Sequence, residues 1–255
     1  MRRMLITIEY DGTDLVGWQT QDTGPTVQAH LEAAAARLTG QDTAIYGAGR
    51  TDSGVHATGQ AAHLDVPGRF DERAVMMGLN ALLDTPQIRV LSARSVPDAF
   101  HARFDAVERA YLYRLICQPC APALDRFRVW HHRRTLDWQA MAQAAQHLTG
   151  RHDFTSFRAT ACQAESPVRT LDQLDVAQIG SEIHITASAR SFLHHQIRNI
   201  TGSLVQVGLG KWAPERLAEI LAACDRRAAG PTAPAHGLYL TRVSYREAAL
   251  SGDEV

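Results

Sequence analysis

The stretch GAGRTDSGVHATGQAAHLD, residues 47–65, sets a single carboxylate, Asp52, in a loop framed by Gly47, Gly49 and Gly54, with Arg50 two positions before it. Glycine backbone lets a ligand approach closely, so such a loop could present Asp52 to a substrate as a nucleophile or a base. Asp52 would equally suit an ordinary turn, accepting from nearby amides. The glycine spacing is not the GxGxxG of dinucleotide loops, and no GK[ST] occurs, so no nucleotide cofactor is indicated. Cys117 and Cys120 have CxxC spacing, but Pro119 lies between them and no second CxxC or HxxxH pair follows. They read as incidental thiols. The adjacent pairs His131/His132 and His194/His195 would point in different directions on a regular element. No metal site is expected, and four cysteines in a chain of this size make no disulfide framework.

The elements around that loop follow from periodicity. Residues 4–9 alternate as in a half-buried strand, with Met4, Ile6 and Ile8 on one side. DGTDLVGWQTQDTGP is a loop by composition. Thr26 caps a helix carrying Val27, Leu31, Ala34, Ala35 and Leu38, which Gly40 ends. Strands are expected near 44–48 and 60–66. Asp71 then caps a helix bearing Val75, Met76, Leu79 and Leu82, followed by a strand over 88–96. Strand–helix–strand–strand–helix–strand is the ferredoxin-like order.

The second half repeats the theme. A strand over 109–117 carries Tyr111, Tyr113 and Leu115 on one face. A helix runs from Asp137 to Gly150, and strands follow at 170–178 and 182–190. A helix over about 195–208 turns Ile197, Ile200, Leu204 and Val207 inward. Pro214 suits the first turn of another helix, and a strand closes the series near 237–245. The chain is therefore read as α+β, two ferredoxin-like halves with mainly antiparallel sheets, divided into residues 1–105 and 106–250.

Among 255 residues 45% are hydrophobic and 21% charged, as in a globular enzyme rather than a disordered chain. No run approaches the roughly 18 apolar residues of a membrane helix, so no membrane partner is expected. The apolar part of MRRMLITIEYDG is too short for an export signal, which makes the cytoplasm the expected location. A net charge of −1 hides clustering: from Arg94 to Arg134 eight arginines face four acids. Local clusters, not the net value, make a phosphate-binding field.

Eight segments in order resemble the tRNA pseudouridine synthase A family. They are YDGTDLVGWQTQ (10–21), AGRTDSGVHATGQ (48–60), GLNALL (78–83), FHARFDA (100–106), RAYLYRL (109–115), GRHDFTSFR (150–158), RSFLHHQIRNITGSLVQVGLGKW (190–212) and APAHGLYLTRVSY (233–245). Family members often carry a methionine and an aliphatic residue where this chain has His195, Gln196 and Ile197. Asp84-Thr85 replaces a stretch that usually contains proline.

The resemblance implies a pseudouridine synthase fold with an active-site cleft between the halves, and a cofactor-free isomerase. Its substrate would be tRNA, at uridines 38, 39 and 40 of the anticodon stem-loop, and its form a homodimer. It assigns Asp52 as the catalytic residue and Arg198 as the guanidinium that keeps its carboxylate charged. Tyr111 would stack on the target base, Leu238 would line the uracil pocket, and Arg50 would contact RNA or help a base leave the stack.

Three routes stay open to Asp52: attack on the sugar, attack on the base, and removal of a sugar proton. Arg103, Arg109, Arg158 and Arg169 are candidates for phosphate contacts. His56 and His63 are candidates for RNA contacts, with structural hydrogen bonding the plainer role. Two rivals fit less well. Tandem RNA-recognition domains should carry the aromatic motif that this chain lacks, and a glycoside hydrolase should pair two carboxylates.

Overall fold

Alternation in the first strand decides one side of the fold. In β1 (Arg2–Tyr10) Met4, Ile6 and Ile8 are fully buried, while the residues between them are partly or fully exposed. The computed structural model describes residues 1–251. Helix α1 (Val27–Thr39) starts where Thr26 Oγ1 accepts from the Ala29 N–H, and stops at Gly40, whose φ is 78°. β2 (Tyr46–Gly47) and β3 (His56–Val66) follow, β3 beginning four residues earlier than alternation alone suggests. Helix α2 (Glu72–Leu82) is capped by Asp71 and leads to β4 (Ile88–Val96). β1 pairs antiparallel with both β3 and β4, and β2 pairs with β3, giving the order β4-β1-β3-β2. This is the ferredoxin-like arrangement that the element order predicts. Leu31, Ala34 and Ala35 of α1 and Val75 and Leu79 of α2 are buried with the β1 row.

The second set of elements is β5 (Ala106–Cys117), β6 (Trp130–His132), α3 (Trp138–Gln146), β7 (Gly150–Asp153), β8 (Val168–Ile179), β9 (Glu182–Ala189), α4 (Gln196–Gly208) and α5 (Arg216–Ala223). Its strands run in the order β5-β9-β8-β7, with β6 parallel to β5. Asp137 caps α3, yet that helix ends at Gln146 rather than Gly150. Gly150, at φ 105°, opens β7 instead. Pro214 precedes α5, and its carbonyl accepts from the Leu217 N–H. Helix α4 is buried nearly all round, including Asn199, Thr201 and Ser203, not only along the apolar stripe.

β10 (Leu238–Tyr245) and α6 (Glu247–Ser251) end the described chain. Two units result: Met1–Arg109 together with the stretch that starts at Tyr239, and Ala110–Leu238. The dividing line near 105 is thus shifted to 109, and the C-terminal stretch joins the first unit rather than the second. Tyr239 and Leu240 pair parallel with His56 and Ala57 of β3, a long-range partnership that no local pattern announces. No helix among the described residues is long and apolar enough to cross a membrane.

Candidate active site

In the first unit two of the recognised segments, 10–21 and 48–60, are bound to each other through residues 10–18 of the first. Leu15 O accepts from both Ser53 Oγ and the Gly54 N–H at 3.2 Å. The Trp18 N–H donates to Thr51 O at 3.1 Å. The hydroxyls of Tyr10 and Thr51 lie 2.8 Å apart, both residues buried. The Val55 N–H donates to Asp52 O at 3.1 Å and closes the turn. Gln60, fully buried, donates to Gly49 O at 2.8 Å. Glycine is required where the two segments touch. A Cβ on Gly17, whose φ is 100°, would sit 2.6 Å from Thr51 O, and one on Gly12 would fall inside the Val55 carbonyl. Asp52 therefore projects, half-buried, from a backbone fixed on both sides, and Arg50 beside it is exposed.

In the second unit the other expected residues sit on regular elements. Tyr111 of β5 is half-buried and meets Phe192 edge-on, with centroids 5.0 Å apart. Two residues along, Tyr113 is fully buried and donates to Pro234 O at 2.8 Å. Burial pushes its pKa well above 10, against the pull of the Arg198 charge, so it stays a neutral hydrogen-bond donor. Arg198 lies in the first turn of α4. Its Nε donates to Ala233 O at 2.8 Å while the Ala233 N–H returns a bond to Arg198 O at 3.0 Å. Leu238 is buried and opens β10 just after the short turn Ala235–Gly237.

Sequence reasoning missed the polar network that holds this segment. Asn199 is fully buried. Its Nδ2 donates to Phe157 O at 2.8 Å, and its Oδ1 accepts from Thr232 Oγ1 at 2.7 Å and Arg226 Nη2 at 3.0 Å. Ser203 Oγ accepts from the Gly230 N–H at 2.9 Å. Gly202 has no room for a Cβ beside the Pro231 carbonyl. The available signal was the run of polar residues in RNITGS within an otherwise apolar helix.

Two of the expected phosphate ligands are otherwise engaged. Arg109 is buried, and its Nη2 donates to Ala48 O at 2.8 Å and Arg103 O at 2.7 Å, which makes it a structural clamp rather than a surface cation. Arg169 directs Nη1 to the carbonyls of Ser166 and Val168. Arg103 is exposed and Arg158 half-buried. Both histidines are structural. His63 is buried, with Nδ1 accepting from the Ala102 N–H at 3.2 Å. Its pKa is pushed down to about 4 by burial first, then by His101 and Arg3. His56 Nδ1 accepts from the Gly12 N–H at 2.9 Å, and the ring stacks on Tyr239. Asp11 Oδ1 lies 3.2 Å from the same nitrogen.

Comparison with known proteins agrees with this architecture. A family model described as tRNA pseudouridine synthase matches residues 6–105 and 144–246. The tRNA pseudouridine synthase A of Rhodospirillum rubrum is 54% identical over 245 residues, covering 96% of this chain and 88% of its own. That of Paramagnetospirillum magneticum is 51% identical over 245 residues, covering 96% of each. A solved Cbf5-Nop10-Gar1 complex aligns at a TM-score of 0.35 and 11% identity, over 95% of this chain and 58% of that one, too distant to carry an argument. The chain belongs to the tRNA pseudouridine synthase A family, and so to the isomerases.

Proposed function

We propose that this chain converts uridine to pseudouridine at nucleotides 38, 39 and 40 of the tRNA anticodon stem-loop, with Asp52 as the catalytic carboxylate. The observation that carries the reading is the binding of segment 10–18 to segment 48–60, which fixes the Asp52 backbone without helix or strand. The reaction breaks the bond between ribose C1′ and uracil N1 and makes one between C1′ and C5. A proton leaves C5 and N1 gains one, so no electron or group donor is consumed and no cofactor is needed.

Within this reading Arg198 keeps the Asp52 carboxylate ionised. Tyr111 stacks on the target base and Leu238 lines its pocket, while Arg50 helps the base leave the stem. The same reading makes the active form a homodimer in the cytoplasm, and sedimentation tests the oligomeric part.

The experiment is tritium release from tRNA labelled at uridine C5, comparing the parent protein with Asp52→Asn. Release by the parent alone, with tRNA binding kept by the variant, is the expected result. Equal release from both would assign the wrong aspartate. No release from either would leave an RNA-binding protein. Replacing U by C at 38, 39 and 40 in turn tests the positions.

A further inference from the structure

The first unit carries a second organised group of side chains that the proposed chemistry does not use. Tyr46 is 53% exposed and Phe104 68% exposed, large values for aromatic rings. His101 joins them, its ring centroid 4.3 Å from that of Phe104 and 6.0 Å from that of Tyr46. Behind them buried His63 stacks on Tyr46 at 5.0 Å and 18°, and meets His101 edge-on at 4.6 Å. The exposed Arg103 guanidinium lies 5.8 Å from the Phe104 centroid.

This surface is built rather than incidental. The His101 N–H donates to Asp105 Oδ2 at 2.6 Å, the Arg103 N–H to His101 Nδ1 at 3.1 Å, and the Phe104 N–H to His101 O at 3.1 Å. Arg109 then clamps the Arg103 carbonyl to that of Ala48, two residues beyond Tyr46. One buried guanidinium thus ties the turn that presents Phe104 to the strand that presents Tyr46 and leads into the Asp52 loop. Exposed aromatic faces held rigid beside a cation fit a nucleobase with its phosphate. Stacking needs a fixed ring, and the arginine supplies the charge match.

We propose that Tyr46, His101 and Phe104 form a stacking platform for one unpaired base of the tRNA, with Arg103 on the adjoining phosphate. Arg109 is the positioning residue of that platform. The inference rests on the chain's acting on tRNA.

The test measures tRNA affinity by filter retention for the parent, Phe104→Leu, Tyr46→Leu and Phe104→Tyr, alongside tritium release, thermal unfolding and sedimentation. Either leucine variant is expected to bind about 10-fold more weakly at an unchanged melting temperature, since stacking is lost and an apolar side chain kept. Phe104→Tyr keeps the parent's affinity. Arg103→Gln lowers the slope of log affinity against log salt by about one. Full affinity in both leucine variants of a parent that releases tritium would overturn the platform alone and leave the proposed reaction standing. Loss of a dimer with full affinity per subunit would overturn it in favour of a second copy of the chain as occupant. A parent that binds tRNA without releasing tritium would fail the proposed reaction while the platform is still judged on affinity.

Discussion

Asp52 and Arg198 are held by opposite means. Asp52 stands on irregular backbone whose shape comes from another loop: Leu15 O takes two bonds, Thr51 O accepts from Trp18 while its hydroxyl meets that of Tyr10, and Gly12 and Gly17 leave room for contact. Arg198 stands on a regular helix and needs only its stem tied, by the exchange with Ala233 and by the Asn199 network beneath. The first arrangement positions backbone directly and tolerates no added atom. The second borrows helix geometry and relies on buried polar satisfaction. Damage to the first should therefore appear in turnover, and damage to the second in stability.

The sharpest test of that contrast is Asn199→Ala. It removes one partner each from the buried Phe157 carbonyl and from the half-buried Thr232 hydroxyl and Arg226 guanidinium, and should lower unfolding free energy by about 3 kcal/mol in urea titration. Turnover per folded molecule should change little.

Gly12→Ala is the converse. Its Cβ must push the Val55 carbonyl away, and Val55 closes the Asp52 turn. Displacement of a reacting group by about 1 Å costs roughly 100-fold in rate. Single-turnover tritium release should fall by about that factor, with a smaller loss of stability. An equal split of the two effects in both variants would erase the distinction.

A smaller effect concerns pH. His63 has a folded pKa of about 4, below its ordinary value of 6.5. The unfolded chain therefore takes up the proton first as pH falls. The stability contributed by neutral His63 is complete above about 6.5 and is lost progressively towards about 4. His101 and Arg3 oppose its charging, whereas Asp65 and Asp105 favour it. The urea midpoint should drop across that window in the parent, and His63→Gln should flatten the drop.

Particular residues show what was legible in advance. Thr26, Gly40, Asp71 and Asp137 end or begin helices where capping chemistry puts them, because a cap bonds to residues three or four positions away. The first-unit strand order followed from the element order. Gly150 misled, since a glycine that could end a helix could also open a strand at positive φ. Arg109 misled too: an arginine in a basic run looks like a surface cation until its carbonyl partners, one of them 61 positions away, are known. The polar residues of RNITGS were visible, but their partners were not.

The sequence by itself determined the periodic elements, their caps, the glycine-framed carboxylate and the family. All of these are read from residues near in the chain or from their order along it. Tertiary structure alone decided which loop holds Asp52, which polar groups Asn199 satisfies, that Arg109 is a clamp, and that the chain from Tyr239 returns to the first unit. The physical reason is separation. Tyr10 meets Thr51 across 41 positions, Asn199 meets Phe157 across 42, and such bonds exist only after the strands and helices between them have packed.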